Sequence, residues 1–278
     1  MTIVVTGATG HLGRHVVESL LARGVPASEI VATGRNVDKI ADLGVVATVA
    51  PYEDPAALKA AFAGADRVLF VSGSEVGRRI EQHRNVVEAA KEAGVGLVAY
   101  TSAPKADTTD MKLAEEHLAT ERMLAESGVP HTLLRNGWYL ENYNLAQIIE
   151  HGSFGAAGDG KIAIAPRADY AEAAASVLVA DGHAGKVYEL GGEAVTLAEL
   201  AAEISRQSGR DVTYTDLSPE KYAEFLVGVG LPVAAAEIYA DADAAASRGA
   251  LFVEKTDLET LLGRPVTPLA DAIAAALR

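Results

Sequence analysis

The sequence contains no cysteine. Disulfides, thiolate catalysis and Cys-based metal sites are thereby excluded. Aromatic residues make up only 5%, so a core must be assembled mainly from Val, Leu, Ile and Ala. Basic residues are in deficit: 24 Lys and Arg stand against 38 Asp and Glu, a net charge of −14. Such a field repels a phosphate polymer, so no nucleic-acid partner is expected. A small anionic ligand can still bind where local donors overrule the global sign. No apolar run approaches the ~20 residues of a membrane span, and no secretory signal precedes the first strand pattern. No membrane partner and a cytoplasmic location are therefore expected. Neither H-E-x-x-H spacing nor a glycine-centred calcium loop is present, so no metal is expected. The acidic run Asp241–Asp243 reads as a solvated helix face. What the chain does have is 278 residues, 49% of them hydrophobic. That is enough to bury roughly three quarters of the unfolded surface.

Thr2–Thr6 reads Thr-Ile-Val-Val-Thr, an uncharged β-branched run suited to a strand buried on both faces. Further strand patterns fall at Ile30–Thr33, Val45–Val49, Val68–Val71, Leu97–Thr101 and His131–Leu134. Helical spacing lies between them at His11–Arg23, Pro55–Ala63, Arg78–Ala93 and Ala114–Ser127. This alternation predicts a parallel sheet with helices on both faces and right-handed crossovers. After Arg135 the texture changes. Asn136–Tyr143 is aromatic and polar, and Gly152–Gly160 reads as a loop. Val187–Leu190 and Val212–Tyr214 read as strands, and Leu197–Gln207, Pro219–Val227 and Val233–Ala250 as helices. The expected class is α/β: a Rossmann-like doubly wound parallel sheet with a smaller C-terminal α/β substrate lobe. Residues 1–150 are expected to form the Rossmann domain that carries this sheet. Residues 151–278 are expected to form mainly the lobe, with some segments returning to the sheet.

Gly7, Gly10 and Gly13 stand between the first strand and the first helix. One glycine suits a tight turn, the next lets backbone approach a pyrophosphate, and the third allows close helix–strand packing. A diphosphate would then meet free N–H groups at a helix N-terminus. NAD-binding sheets usually carry Asp or Glu at the end of the second strand. Here that place reads Thr33-Gly34-Arg35-Asn36, with no carboxylate to repel a 2′-phosphate. The Arg35 guanidinium can grip such a phosphate and stack on adenine. NADP(H) is the expected cofactor.

The stretch VVTGATGHLGRHVVESLLARG resembles the NmrA-like branch of atypical short-chain dehydrogenases. SGSEVGRRIEQHRNVVEAAKEAGV, EEHLATERMLAESGV, TLLRNGWYLENY, RADYAEAAA and GKVYELGG are similar to quinone-reducing members of that branch. The resemblance implies a cofactor site comprising Gly7, Ala8, Thr9, Gly10, His11 and Leu12 at the pyrophosphate, with Arg35 at the 2′-phosphate. It adds Val71, Ser72 and Gly73 along the cofactor, Asn136, Gly137, Trp138, Tyr139, Leu140 and Glu141 near the nicotinamide, and Arg167. Relatives carry serine in the middle of the Ser72-Gly73-Ser74 segment. Standard short-chain dehydrogenases use a serine with Tyr-x-x-x-Lys to protonate a carbonyl oxygen. In this chain Ser102 sits at the serine position, but His117 and Glu121 occupy the other two.

That departure bears on the chemistry. Hydride addition to a ketone leaves a strongly basic alkoxide and needs a placed acid. Addition to a quinone leaves a delocalised anion that water can protonate. The expected reaction is direct hydride transfer from NADPH to a small-molecule quinone. The alternatives are a non-catalytic NADP(H)-binding redox sensor, or a reductase of another activated electrophile. Candidate catalytic residues are Tyr139, Asn142 and His117. For His117 the alternative is a half-exposed helix residue paired with Glu121, one turn on. For Trp138 and Tyr139 it is packing, and for Asn142 a loop cap. Asn85 reads as a structural support behind the cofactor loop. A homo-oligomer is compatible with the sequence, which shows no unambiguous exposed stripe.

Overall fold

Within β1 (Ile3–Val5) side chains alternate between two cores: Ile3 and Val5 face one, Val4 the other, and all three are fully buried. An uninterrupted apolar run is what a strand covered on both faces requires. The computed structural model describes residues 1–75 and 77–278. After β1 come α1 (His11–Ala22), β2 (Ile30–Gly34), β3 (Val46–Val49), α2 (Pro55–Phe62), β4 (Arg67–Phe70), α3 (Arg79–Ala93), β5 (Leu97–Ser102), α4 (Lys112–Ser127) and β6 (His131–Asn136). The second half adds β7 (Trp138–Tyr139), α5 (Leu145–His151), β8 (Ser153–Gly155), β9 (Ile162–Ala165), α6 (Arg167–Val179), β10 (Val187–Leu190), β11 (Glu193–Val195), α7 (Leu197–Ser208), β12 (Tyr214–Asp216) and α8 (Pro219–Gly228). The chain closes with α9 (Val233–Ala246), α10 (Thr256–Leu262) and α11 (Leu269–Ala276).

Seven parallel strands form the main sheet in the order β10-β6-β5-β4-β1-β2-β3. Residues of α1, α6 and α10 cover one face and residues of α2, α3 and α4 the other. Strand order reverses between β1 and β4, which places a crevice at their carboxyl ends. β10 comes from the second half of the chain, yet pairs with β6 from Val187↔Leu133 to Leu190↔Asn136. A second core joins β7 and β9 to α5, α7, α9, α11 and the start of α4. Small β-sheets support it: β11-β9-β7 and β12-β8. Among the described residues no helix is long and apolar enough to cross a membrane.

Several details differ from the sequence reading. Gly152–Gly160 is not wholly loop, because β8 lies inside it and pairs with β12. The strand expected at Val212–Tyr214 runs instead from Tyr214 to Asp216, because that is the register that pairs it with β8. The helix at Val233 ends at Ala246, before the turn at Gly249 (φ 83°). The acidic run Asp241–Asp243 is not a solvated face. Asp241 accepts the Lys112 N–H at 2.7 Å, while Asp243 is 5% exposed and accepts the Ala156 N–H at 3.1 Å.

Burial pushes the Asp243 carboxyl up to about 7, outweighing the Ala156 hydrogen bond, and the Asp216 carboxylate adds repulsion. The ordinary value is 3.8. The folded state therefore keeps a proton that the unfolded chain releases between those pH values. Stability falls as pH rises through that window and is level above it. Asp243→Asn keeps an acceptor for Ala156 and cannot ionise. In urea titrations its advantage over wild type is expected to be larger at pH 8 than at pH 4 by a few kcal/mol, at about 1.4 kcal/mol per pKa unit. An advantage that does not change with pH rules out Asp243 as the ionising group.

Candidate functional site: a dinucleotide cleft

The crevice over β1, β2 and β4 is a cleft of about 700 Å³, within the ~300–1,000 Å³ range of small-molecule sites. Its floor is the glycine turn. Gly7 adopts φ 60°, a left-handed conformation suited to glycine. A Cβ on Gly13 would lie 2.4 Å from the Gly7 carbonyl oxygen, so α1 can approach the turn only without a side chain there. A Cβ on Gly34 would lie 2.5 Å from the Thr9 side chain, so Gly34 makes room for Thr9. No side chain caps the N-terminus of α1. Its first N–H groups are left for a ligand, and the macrodipole favours an anion there. Arg35 stands at the rim with its side chain 68% exposed. A glycine cradle, an uncapped helix end and an accessible guanidinium suit the diphosphate and 2′-phosphate of NADPH.

Three polar groups close a ring under this floor. Val71 N–H donates to Thr6 Oγ1 at 3.1 Å, Thr6 and Tyr52 share a hydroxyl bond of 2.6 Å, and Tyr52 donates to the Val71 carbonyl at 2.5 Å. The ring ties the end of β1 to the end of β4. Asn85 donates to the Tyr52 carbonyl at 2.9 Å and so steadies this ring.

The next loop is held from behind by α3. Gly73 N–H donates to His83 Nε2 at 2.9 Å, and Arg79 Nε donates to the Gly73 carbonyl at 2.5 Å. Arg79 and His83 are one turn apart. Each is backed by α4: Arg79 lies 3.6 Å from the Glu116 carboxylate, and His83 Nδ1 is 2.8 Å from Thr120 Oγ1. Thr120 donates its own proton to the Glu116 carbonyl at 2.9 Å. Its oxygen must then accept from His83 Nδ1–H, which leaves Nε2 as an acceptor for Gly73. Burial, with Arg79⁺ nearby, lowers the His83 imidazole to about 3 and keeps it neutral.

Of the usual serine–tyrosine–lysine set only the serine is kept, and it is tied to the residue at the lysine position. Ser102 donates to Glu121 at 2.6 Å. Arg135 grips the same carboxylate through Nε at 3.0 Å and Nη2 at 2.6 Å. Its Nη1 reaches Asp107 and Glu189. His117 is neither a half-exposed residue nor a partner of Glu121. It is 5% exposed, bonds Tyr100 through Nδ1 at 2.9 Å, and is driven well below its ordinary value by burial. His117 and Glu121 share a helix face but have separate partners, and neither lines the cleft.

Of the residues implied by resemblance, Gly7, Thr9, Gly10, His11, Leu12, Arg35, Val71, Ser72, Gly73, Tyr139 and Arg167 line the cleft. Ala8 is buried, its N–H donating to the Thr33 carbonyl at 2.8 Å. Asn136 is buried and donates to the Tyr139 hydroxyl oxygen at 2.9 Å. Gly137 is wedged against Tyr170, where a Cβ would come within 2.8 Å of the hydroxyl. Trp138 and Leu140 pack in the second core, Trp138 edge-on to Tyr239 at 6.3 Å. Glu141 accepts the Arg167 N–H with both oxygens at 3.0 Å, fixing the start of α6. The Arg167 guanidinium lies 5.0 Å from the Tyr139 ring centre. Asn142 is exposed on the short turn after Tyr139. Among the described residues the Tyr139 phenolic proton has no acceptor, and burial raises its pKa.

Lys39, Tyr52, Glu53, Glu75 and Gln82 also line the cleft. Sequence reasoning passed over them because no local spacing marks a residue that a crossover brings to the rim.

A model of the NmrA-like family matches residues 1–256. The chain is 53% identical to quinone oxidoreductase 2 of Escherichia coli K12, over 98% of this chain and 97% of that protein. The crystal structure of the E. coli NADPH-dependent quinone oxidoreductase complexed with NADPH superposes with a TM-score of 0.95 at 51% identity, covering both chains in full. Triphenylmethane reductase of Citrobacter sp. complexed with NADP(H) gives 0.92 at 40% identity, over 99% of this chain and 100% of the other. A parallel sheet reversing at a glycine turn, matched over nearly the whole length by these proteins, places the chain in the NmrA-like family.

Proposed function

We propose that this protein binds NADPH in the cleft and uses it to reduce quinones. The observation that carries this is the 53% identity to a quinone oxidoreductase along nearly the entire chain. It coincides with a cleft whose donors suit a 2′-phosphorylated dinucleotide. Gly7–Leu12 and the start of α1 would hold the diphosphate, Arg35 the 2′-phosphate, and Val71, Ser72 and Gly73 would lie along the cofactor. NADPH supplies a hydride when bound.

The chain's own residues do the positioning. The Thr6–Tyr52–Val71 ring and the Arg79–His83 clamp fix the floor and the loop of the cleft. Arg167 and Tyr139 border its far end, and the Tyr139 hydroxyl has a proton to offer to an acceptor oxygen. His117, sealed against Tyr100, and Glu121, held by Ser102 and Arg135, occupy the usual tyrosine and lysine positions. Such a site suits an acceptor whose reduced anion needs little acid help, as that of a quinone does, with water completing protonation. His117, buried and neutral, does not serve as the donor.

NADPH oxidation followed in the nicotinamide absorbance band with benzoquinone or menadione is expected to run well above the uncatalysed mixture. A rate equal to that background refutes the activity. Arg35→Ala is expected to raise KM for NADPH about tenfold or more, in line with the ~1.5–3 kcal/mol of a hydrogen bond to a charged group, and to leave KM for NADH nearly unchanged.

His83 provides a second check. His83→Gln retains an acceptor near the Nε2 position for Gly73, whereas His83→Asn retains only the Thr120 side of the bridge. The Gln variant is expected to keep most of kcat/KM and the Asn variant to lose about tenfold, at similar melting temperatures. Equal losses in both would reduce His83 to a packing residue.

A further inference from the structure

Glu75 reaches across the cleft. It follows β4, whereas Arg35 follows β2, and these strands flank β1 on opposite sides. Their ion pair, Arg35 Nη1 to Glu75 Oε1 at 2.9 Å, therefore spans the mouth above the glycine turn. The other carboxylate oxygen accepts Arg78 Nη1 at 3.1 Å and Gln82 Nε2 at 3.2 Å. Glu75 is thus held on its own side of the cleft without Arg35. Among the described residues Arg35 has no other partner.

The asymmetry fixes the direction of any exchange. A phosphate arriving at Arg35 offers the guanidinium a more highly charged, fork-matched partner than a carboxylate. Arg35 must let go of Glu75 to take it, and Glu75 stays behind with Arg78 and Gln82. A dinucleotide lacking the 2′-phosphate makes no such demand.

We propose that Glu75 is a specificity-setting residue: its carboxylate competes with the 2′-phosphate of NADPH for Arg35 and so moderates the preference for NADPH over NADH. This rests on the cofactor reading above. An acid at the end of the second strand would exclude the phosphate outright. Supplied instead from across the cleft, it makes the preference adjustable. An exposed pair of this kind is worth up to about fivefold in an equilibrium.

Isothermal titration of the full chain with NADPH and with NADH tests this in wild type, Glu75→Gln, Arg35→Ala and the double variant. Glu75→Gln is expected to tighten NADPH about two- to fivefold and leave NADH unchanged. In the Arg35→Ala background the gain is expected to fall below about twofold. Unchanged or weaker NADPH binding, an equal gain for both cofactors, or a full gain without Arg35 overturns the proposal. A wild-type protein with no NADPH preference overturns the cofactor reading itself. A preference that Glu75→Gln fails to increase overturns only the role of Glu75.

Discussion

The approach of α1 to the glycine turn is the constraint on which the rest of the site depends. The Gly7 carbonyl lies where any side chain on residue 13 would have to stand. That contact presses the helix start against the end of β1 and aims its uncapped N–H groups into the crevice. The crevice exists only because strand order reverses between β1 and β4. One backbone contact and one topological fact thus locate the diphosphate site. The hydroxyl ring of Thr6, Tyr52 and Val71 then keeps the two strand ends in register.

Buried polar networks set the chemistry around this floor. Arg135 and Glu121 are both almost fully buried, and each is satisfied by several partners. Removing one member of such a pair is costly, because an uncompensated charge remains inside. The position that holds the lysine of the Tyr-x-x-x-Lys pair in standard short-chain dehydrogenases has become part of the protein's frame.

How much of this was legible in the sequence depended on range. β1, β4 and β5 were readable because a strand buried on both faces leaves a nearly uninterrupted apolar run. The glycine turn and Arg35 were readable because their spacing is local. α6 left no periodic signal: its Ala-rich stretch is buried on nearly every side. Asp243 was misread because an acidic run looks solvated unless the fold drives one member inward. His83 and Glu75 gave no sign of their roles, since each meets its partner only once the crossovers are in place. The absence of an acid beside Arg35 held along the chain but not in space, where Glu75 arrives from 40 residues away.

The missing cysteine has a meaning beyond the bonds it forbids. Quinones are electrophiles as well as hydride acceptors, and the thiolate is the protein nucleophile that attacks them most readily. A chain with no sulfhydryl offers them none. Two imidazoles behind the cleft are also shielded: His83 Nε2 is engaged by Gly73, and His117 is sealed inside against Tyr100. The protein can hold a reactive acceptor beside its cofactor with no thiolate for that acceptor to alkylate.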